Sequence, residues 1–123
     1  MSRPLAALAA CFCLSLSSLH AQAAEPLVIE GRDAQALQCA AMLYMAASVM
    51  NDAGFVPDWV REDAQATAMR ILEQLPGTQD QRIQAMAQRF EKIIDSQTPA
   101  ELLEDYQTSE RWCRREFLPE QAG

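Results

Sequence analysis

The amino-acid sequence predicts an all-α protein: a small up-down four-helix bundle with helices at about 34–52, 58–75, 79–96 and 99–117 and one disulfide. Three observations lead there. The stretch from Ala36 to Met50 is apolar on nearly all sides, with Gln38 and Ser48 its only plainly polar residues, and a helix of that kind has to be enclosed by others. The remaining chain repeats its apolar residues with a helical period between strong start and stop residues. Cys39 and Cys113 fall where the first and last helices of such a bundle meet.

Residues 1–23 read as a secretory signal peptide. Arg3 supplies a positive n-region, Leu5 to Leu16 an apolar h-region, and Ala21-Gln22-Ala23 a small-x-small cleavage site. A second reading takes Leu8-Ala9-Ala10-Cys11 as a lipoprotein cleavage box with lipid on Cys11, although ten residues before that cysteine are few for an n-region and an h-region. Cleavage near Ala23 leaves 24–123 as a single helical domain, periplasmic or secreted.

Loss of the leader removes His20, Cys11, Cys13 and Arg3, and the formal charge moves from −7 to −8. That balance argues against general binding to nucleic acid or to anionic membranes. With Cys39 and Cys113 left in an oxidising compartment, the simplest outcome is one disulfide closing a loop of about 73 residues. Chain entropy puts its stabilisation at roughly 4 kcal/mol. The alternative is a free thiol at either position.

The elements follow in order. Leu27-Val28-Ile29 is the apolar patch of a short lead-in, either an arm packed on the bundle or a disordered one. Asp33 is the expected N-cap of the first helix, which ends near Gly54. At about 15 residues its apolar run is shorter than the roughly 20 a membrane-crossing helix needs, and Asn51, Asp52, Gly54 and Pro57 forbid extension. Its alanines admit close neighbours while Met42, Met45 and Met50 fill irregular space. The second helix enters at Pro57, stops at Pro76-Gly77, and carries an apolar stripe of Val60, Ala64, Ala68, Ile71, Leu72 and Leu75 flanked by Trp59 and Met69. The third opens on a capping box, Thr78 with Gln81, and sets Ile83, Met86, Ala87, Phe90, Ile93 and Ile94 on one face. Its other face, Gln84, Gln88, Glu91 and Asp95, reads as solvated. The fourth combines the capping box of Thr98 and Glu101 with Pro99 at its first position. Leu102, Tyr106, Ser109, Cys113 and Phe117 line one face, and the tail from Glu120 is expected to fray.

In a mature chain without histidine there is no Ser-His or Cys-His pair, no histidine base and no ordinary catalytic zinc site. Glu62 with Asp63, and Glu101 with Glu104 and Asp105, are the remaining carboxylate candidates; all suit helix N-termini, and no Asp-rich calcium loop is present. Arg111, Trp112, Arg114 and Arg115 form a candidate partner patch, because Trp and Arg dominate interface hot spots; the same cations also suit a helix C-terminus. No glycine-rich phosphate loop, CxxC or nucleic-acid motif occurs. The expected function is therefore a non-enzymatic, exported protein-binding module, of inhibitor or immunity type, that needs no cofactor or metal and acts on another envelope protein. The alternatives are an acid-responsive periplasmic chaperone, a structural subunit of an envelope assembly, and an enzyme that works through carboxylates alone.

Overall fold

Among the described residues four α-helices follow one another: α1 (Gly31–Asp52), α2 (Asp58–Leu72), α3 (Gln79–Ser96) and α4 (Pro99–Phe117). The structure is a computed structural model that describes residues 25–121; the signal-peptide reading of 1–23 and the lipid site at Cys11 lie outside the described residues. Contacts at the helix ends fix the up-down order. Gln74, just beyond α2, donates to the Phe117 carbonyl at 2.7 Å. Arg32 at the start of α1 donates to Glu116 near the end of α4 at 3.0 Å, and Cys39 is joined to Cys113 with their Cα atoms 5.6 Å apart. The starts of α1 and α3 and the ends of α2 and α4 therefore gather at one end. At the other, Asn51 donates to the Val56 carbonyl and to the Asp58 carboxylate, pinning the α1–α2 turn.

α1 is the hub. Its buried residues include Ala36, Leu37, Cys39, Ala40, Ala41, Met42, Leu43, Ala46 and Ala47, and Ala40, Ala41 and Ala46 are completely enclosed. Small side chains let neighbouring backbones come close, and all three other helices pack against α1, α2 most extensively and α3 least. Ile71, Leu72 and Leu75 meet it from the α2 side, Leu102, Cys113 and Phe117 from the α4 side.

Both predicted capping boxes form: Thr78 accepts from the Gln81 N–H while Gln81 accepts from Thr78 N–H, and Thr98 and Glu101 do the same. Asp33 is not the N-cap of α1. The helix begins at Gly31, after an extended Glu30 that makes no side-chain cap bond, and Asp33 sits in the first turn, where its charge still complements the helix dipole. Arg32 draws the chain into the helix early, with its guanidinium donating to both the carboxylate and the backbone carbonyl of Glu116 and lying 4.8 Å from the Phe117 ring centre. α2 is regular to Leu72 rather than Leu75. Beyond it Gln74 and Leu75 bond three residues back, which overwinds the chain and turns Leu75 into the core before Pro76 and Gly77. The tail is held in a short 3-10 turn, Pro119–Gln121, by buried Leu118, whose N–H bonds the Arg114 carbonyl.

The largest difference is the facing of α3. Ala85, Met86 and Ile93 are its buried residues, Phe90 is partly buried, and Ile83, Ala87 and Ile94 face outward, Ile94 with 65% of its surface exposed. The cause is that α3 rests on α1 and stands off its other neighbours, with the rings of Tyr44 and Phe90 5.8 Å apart between them. The lead-in is a packed arm: Leu27 and Ile29 turn inward, Val28 outward, and Gln81 donates to the Glu25 carbonyl.

Gly77 holds this corner. Its φ is +91°, and a Cβ there would lie 2.7 Å from Gln81 Oε1 and 2.9 Å from a Leu27 methyl. Gly54 also has positive φ, but a Cβ would meet nothing within 4 Å. Chemical denaturation should show Gly54→Ala costing about 1 kcal/mol from backbone strain alone, and Gly77→Ala about 2–3 kcal/mol with a weakened capping box. Equal losses would show that the corner contact contributes nothing.

Candidate functional site

The wide separation of α3 from α4 opens a groove of about 460 Å³ floored by α1. Gln35, Gln38 and Met42 come from α1, Arg89 from α3, and Asp105, Ser109 and Trp112 from α4, with the disulfide in the wall. On α4, residues 105, 109 and 112 share a face by their spacing of four and three. Arg89 lies seven residues after Arg82 and between Met86 and Ile93, on the stripe that α3 turns toward α1. Its Nε is buried without a hydrogen-bond partner, and among the described residues its guanidinium enters no ion pair. Asp105 accepts a hydrogen bond from the Gln97 side-chain amide across the α3–α4 gap. The groove thus presents a cation and an anion that do not neutralise each other, beside two carboxamides, a hydroxyl and an indole.

The partner patch read from the sequence divides. Trp112 is 38% exposed, lines the groove, and meets the Phe117 ring edge-on at 5.9 Å. Arg111 and Arg115 are exposed beside it. Arg114 points away, roughly 200° around the helix from Trp112, and its Nε donates to Glu110 at 3.2 Å. Arg32, which no pattern in the sequence assigns to this patch, joins it instead through Phe117 and Glu116. Glu62, Asp63, Glu101, Glu104 and Asp105 are all exposed, and among the described residues no three Asp, Glu, His or Cys side chains are placed to hold a metal ion. Among the described residues no helix is long and apolar enough to cross a membrane.

Charge is uneven along the bundle. In the helical turns nearest the α1–α2 loop, Asp52, then Asp58, Glu62 and Asp63, then Glu91 and Asp95, then Glu101 and Glu104 face only Arg61 and Lys92. The turns nearest the disulfide end and the residues flanking them carry Arg32, Arg70, Arg82, Arg111, Arg114 and Arg115 against Glu30, Asp33, Glu73, Asp80, Glu110 and Glu116, so the two signs balance there. From the acidic end project Phe55, 78% exposed, and Trp59, 65% exposed. The sequence signal for this pair is two aromatics on either side of Pro57 in a turn, where no packing partner follows at helical spacing. For Arg89 it is the seven-residue step from Arg82 along a face that also carries Met86 and Ile93.

Tyr106 lies against the Arg114–Glu110 pair. Partial burial raises its phenol above the ordinary value of 10.0, the Glu110 carboxylate raises it further, and Arg114 opposes the shift. The folded state therefore holds this proton more tightly than the unfolded chain. The contribution is complete below about pH 10 and is lost as pH rises through the folded-state value. Urea titrations between about pH 8 and 11 should show stability falling less steeply for Tyr106→Phe than for the parent; identical slopes would mean that the phenol carries no such linkage. No protein-family model matches the chain, nor does any curated protein or any solved structure.

Proposed function

We propose that the chain is an exported, non-enzymatic protein-binding module of the cell envelope, of inhibitor or immunity type, and that it meets its partner through the acidic end bearing Phe55 and Trp59. The exposure of these two aromatics inside a field of carboxylates carries the reading. Large aromatic side chains left in water cost hydration free energy that burial against a partner recovers, and they are typical interface anchors. The surrounding carboxylates steer a basic surface toward them and repel an anionic one. The disulfide between Cys39 and Cys113 agrees with an oxidising compartment, and a stapled helical scaffold holds both anchors in place before contact.

A photo-reactive phenylalanine analogue at position 55, compared in the producing host with one at Gln84 on the outer face of α3, tests this directly. The expected result is a discrete protein adduct from position 55, lost on Trp59→Ala and weakened in about 1 M salt, where charges are screened beyond about 3 Å. Adducts of the same pattern from both positions, or none from position 55, would remove the proposal.

A further inference from the structure

We propose that the groove between α1, α3 and α4 is a second binding site, separate from the acidic end, that takes a small zwitterion: a free α-amino acid with an apolar side chain, or a short apolar peptide. Its volume of about 460 Å³ is on the scale of small-molecule sites. The chemistry follows from what lines it. Arg89 offers a planar fork of donors matched to a carboxylate, and its Nε, buried and unpartnered, is a polar group whose desolvation nothing in the fold offsets. Asp105 lines the same space and is not ion-paired with Arg89, so it remains able to receive an ammonium group. A ligand with one charge would leave the opposite charge of the groove facing it without a counterpart, whereas a zwitterion matches both.

The other walls suit the rest of such a molecule. Gln35, Gln38 and Ser109 provide donors and acceptors, while Met42 and the Trp112 indole provide a polarisable apolar surface for the side chain. Position also matters: α3 is the helix least extensively packed on α1, and the three buried side-chain atoms without partners among the described residues, on Arg82, Arg89 and Gln97, all belong to it or to its C-cap. A ligand bridging Arg89 to Asp105 would tie α3 to α4.

Calorimetric titration of the intact, disulfide-bonded protein with four probes tests the assignment: L-leucine, leucyl-leucine, leucinamide, which lacks the carboxylate, and 4-methylpentanoate, which lacks the ammonium group. Either leucine or the dipeptide should bind, and the tighter of the two identifies the source. Leucinamide and 4-methylpentanoate should bind at least about tenfold more weakly, the loss expected when one charged contact of about 1.4 kcal/mol goes. Arg89→Gln should abolish binding. Asp105→Asn, at an exposed residue where folding is not at risk, should weaken the zwitterion about tenfold and leave 4-methylpentanoate binding no weaker. Heat from no probe up to about 10 mM, equal affinity for all four, or binding indifferent to Asp105→Asn would each overturn the proposal.

Discussion

The structure depends on enclosing one helix. α1 is too apolar to face water, and its apolar run is too short to cross a bilayer, so every other element is arranged as its cover. Its completely buried alanines determine how closely that cover can sit: where Ala40, Ala41 and Ala46 face a neighbour, the backbones come together, and where Tyr44 and Phe90 meet, they are held apart. The disulfide then fastens the start of this helix to the end of the last one, so that most of the chain lies within a single covalent loop. In a domain of this size, that constraint is comparable with a large share of the net folding free energy.

Unequal packing has consequences on the surface. α2 and α4 are drawn in by small residues, α3 is propped out, and the space left between α3 and α4 becomes a groove whose polar groups are incompletely paired. The same arrangement stacks acidic helix starts and ends at one pole and sets arginines against an equal number of carboxylates at the other. Much of this is the ordinary preference of carboxylates for helix N-termini and cations for C-termini, as with Glu101 in α4 and Arg114 and Arg115 at its far end. Glu91 and Asp95, late in α3, run against that preference and add to the acidic field around Phe55 and Trp59.

Features governed by local chemistry are legible in the sequence. Thr78 with Gln81, and Thr98 with Glu101, cap their helices because the bonds span three residues; Gly54 ends α1 and Gly77 turns the chain into α3 with the positive φ that glycine adopts readily. The Cys39–Cys113 link was legible too, since helix count and antiparallel order bring the two positions to one end. Features governed by distant neighbours were not. α3 offers apolar residues over a wider arc than it buries, and which part is covered depends on how far Phe90 and Tyr44 hold it from α1. For that reason Ile83, Ala87 and Ile94 read as core and lie outside, while Arg89, to which the apolar pattern assigns no place, lies in a groove. Asp33 reads as a cap in the sequence yet sits in the first turn of α1, because the Arg32–Glu116 contact at the start of that helix spans 84 residues of sequence.

The central claim is that α1 is the enclosed hub and α3 its most loosely held cover. Native-state hydrogen exchange, read amide by amide on the oxidised protein, tests it most directly. The amides from Ala40 to Ala47 should exchange only through global unfolding, with a free energy equal to that from denaturant titration, while those of α3 open at clearly lower free energy. Exchange of the α1 amides through local openings, or α3 protected as strongly as α1, would contradict the account.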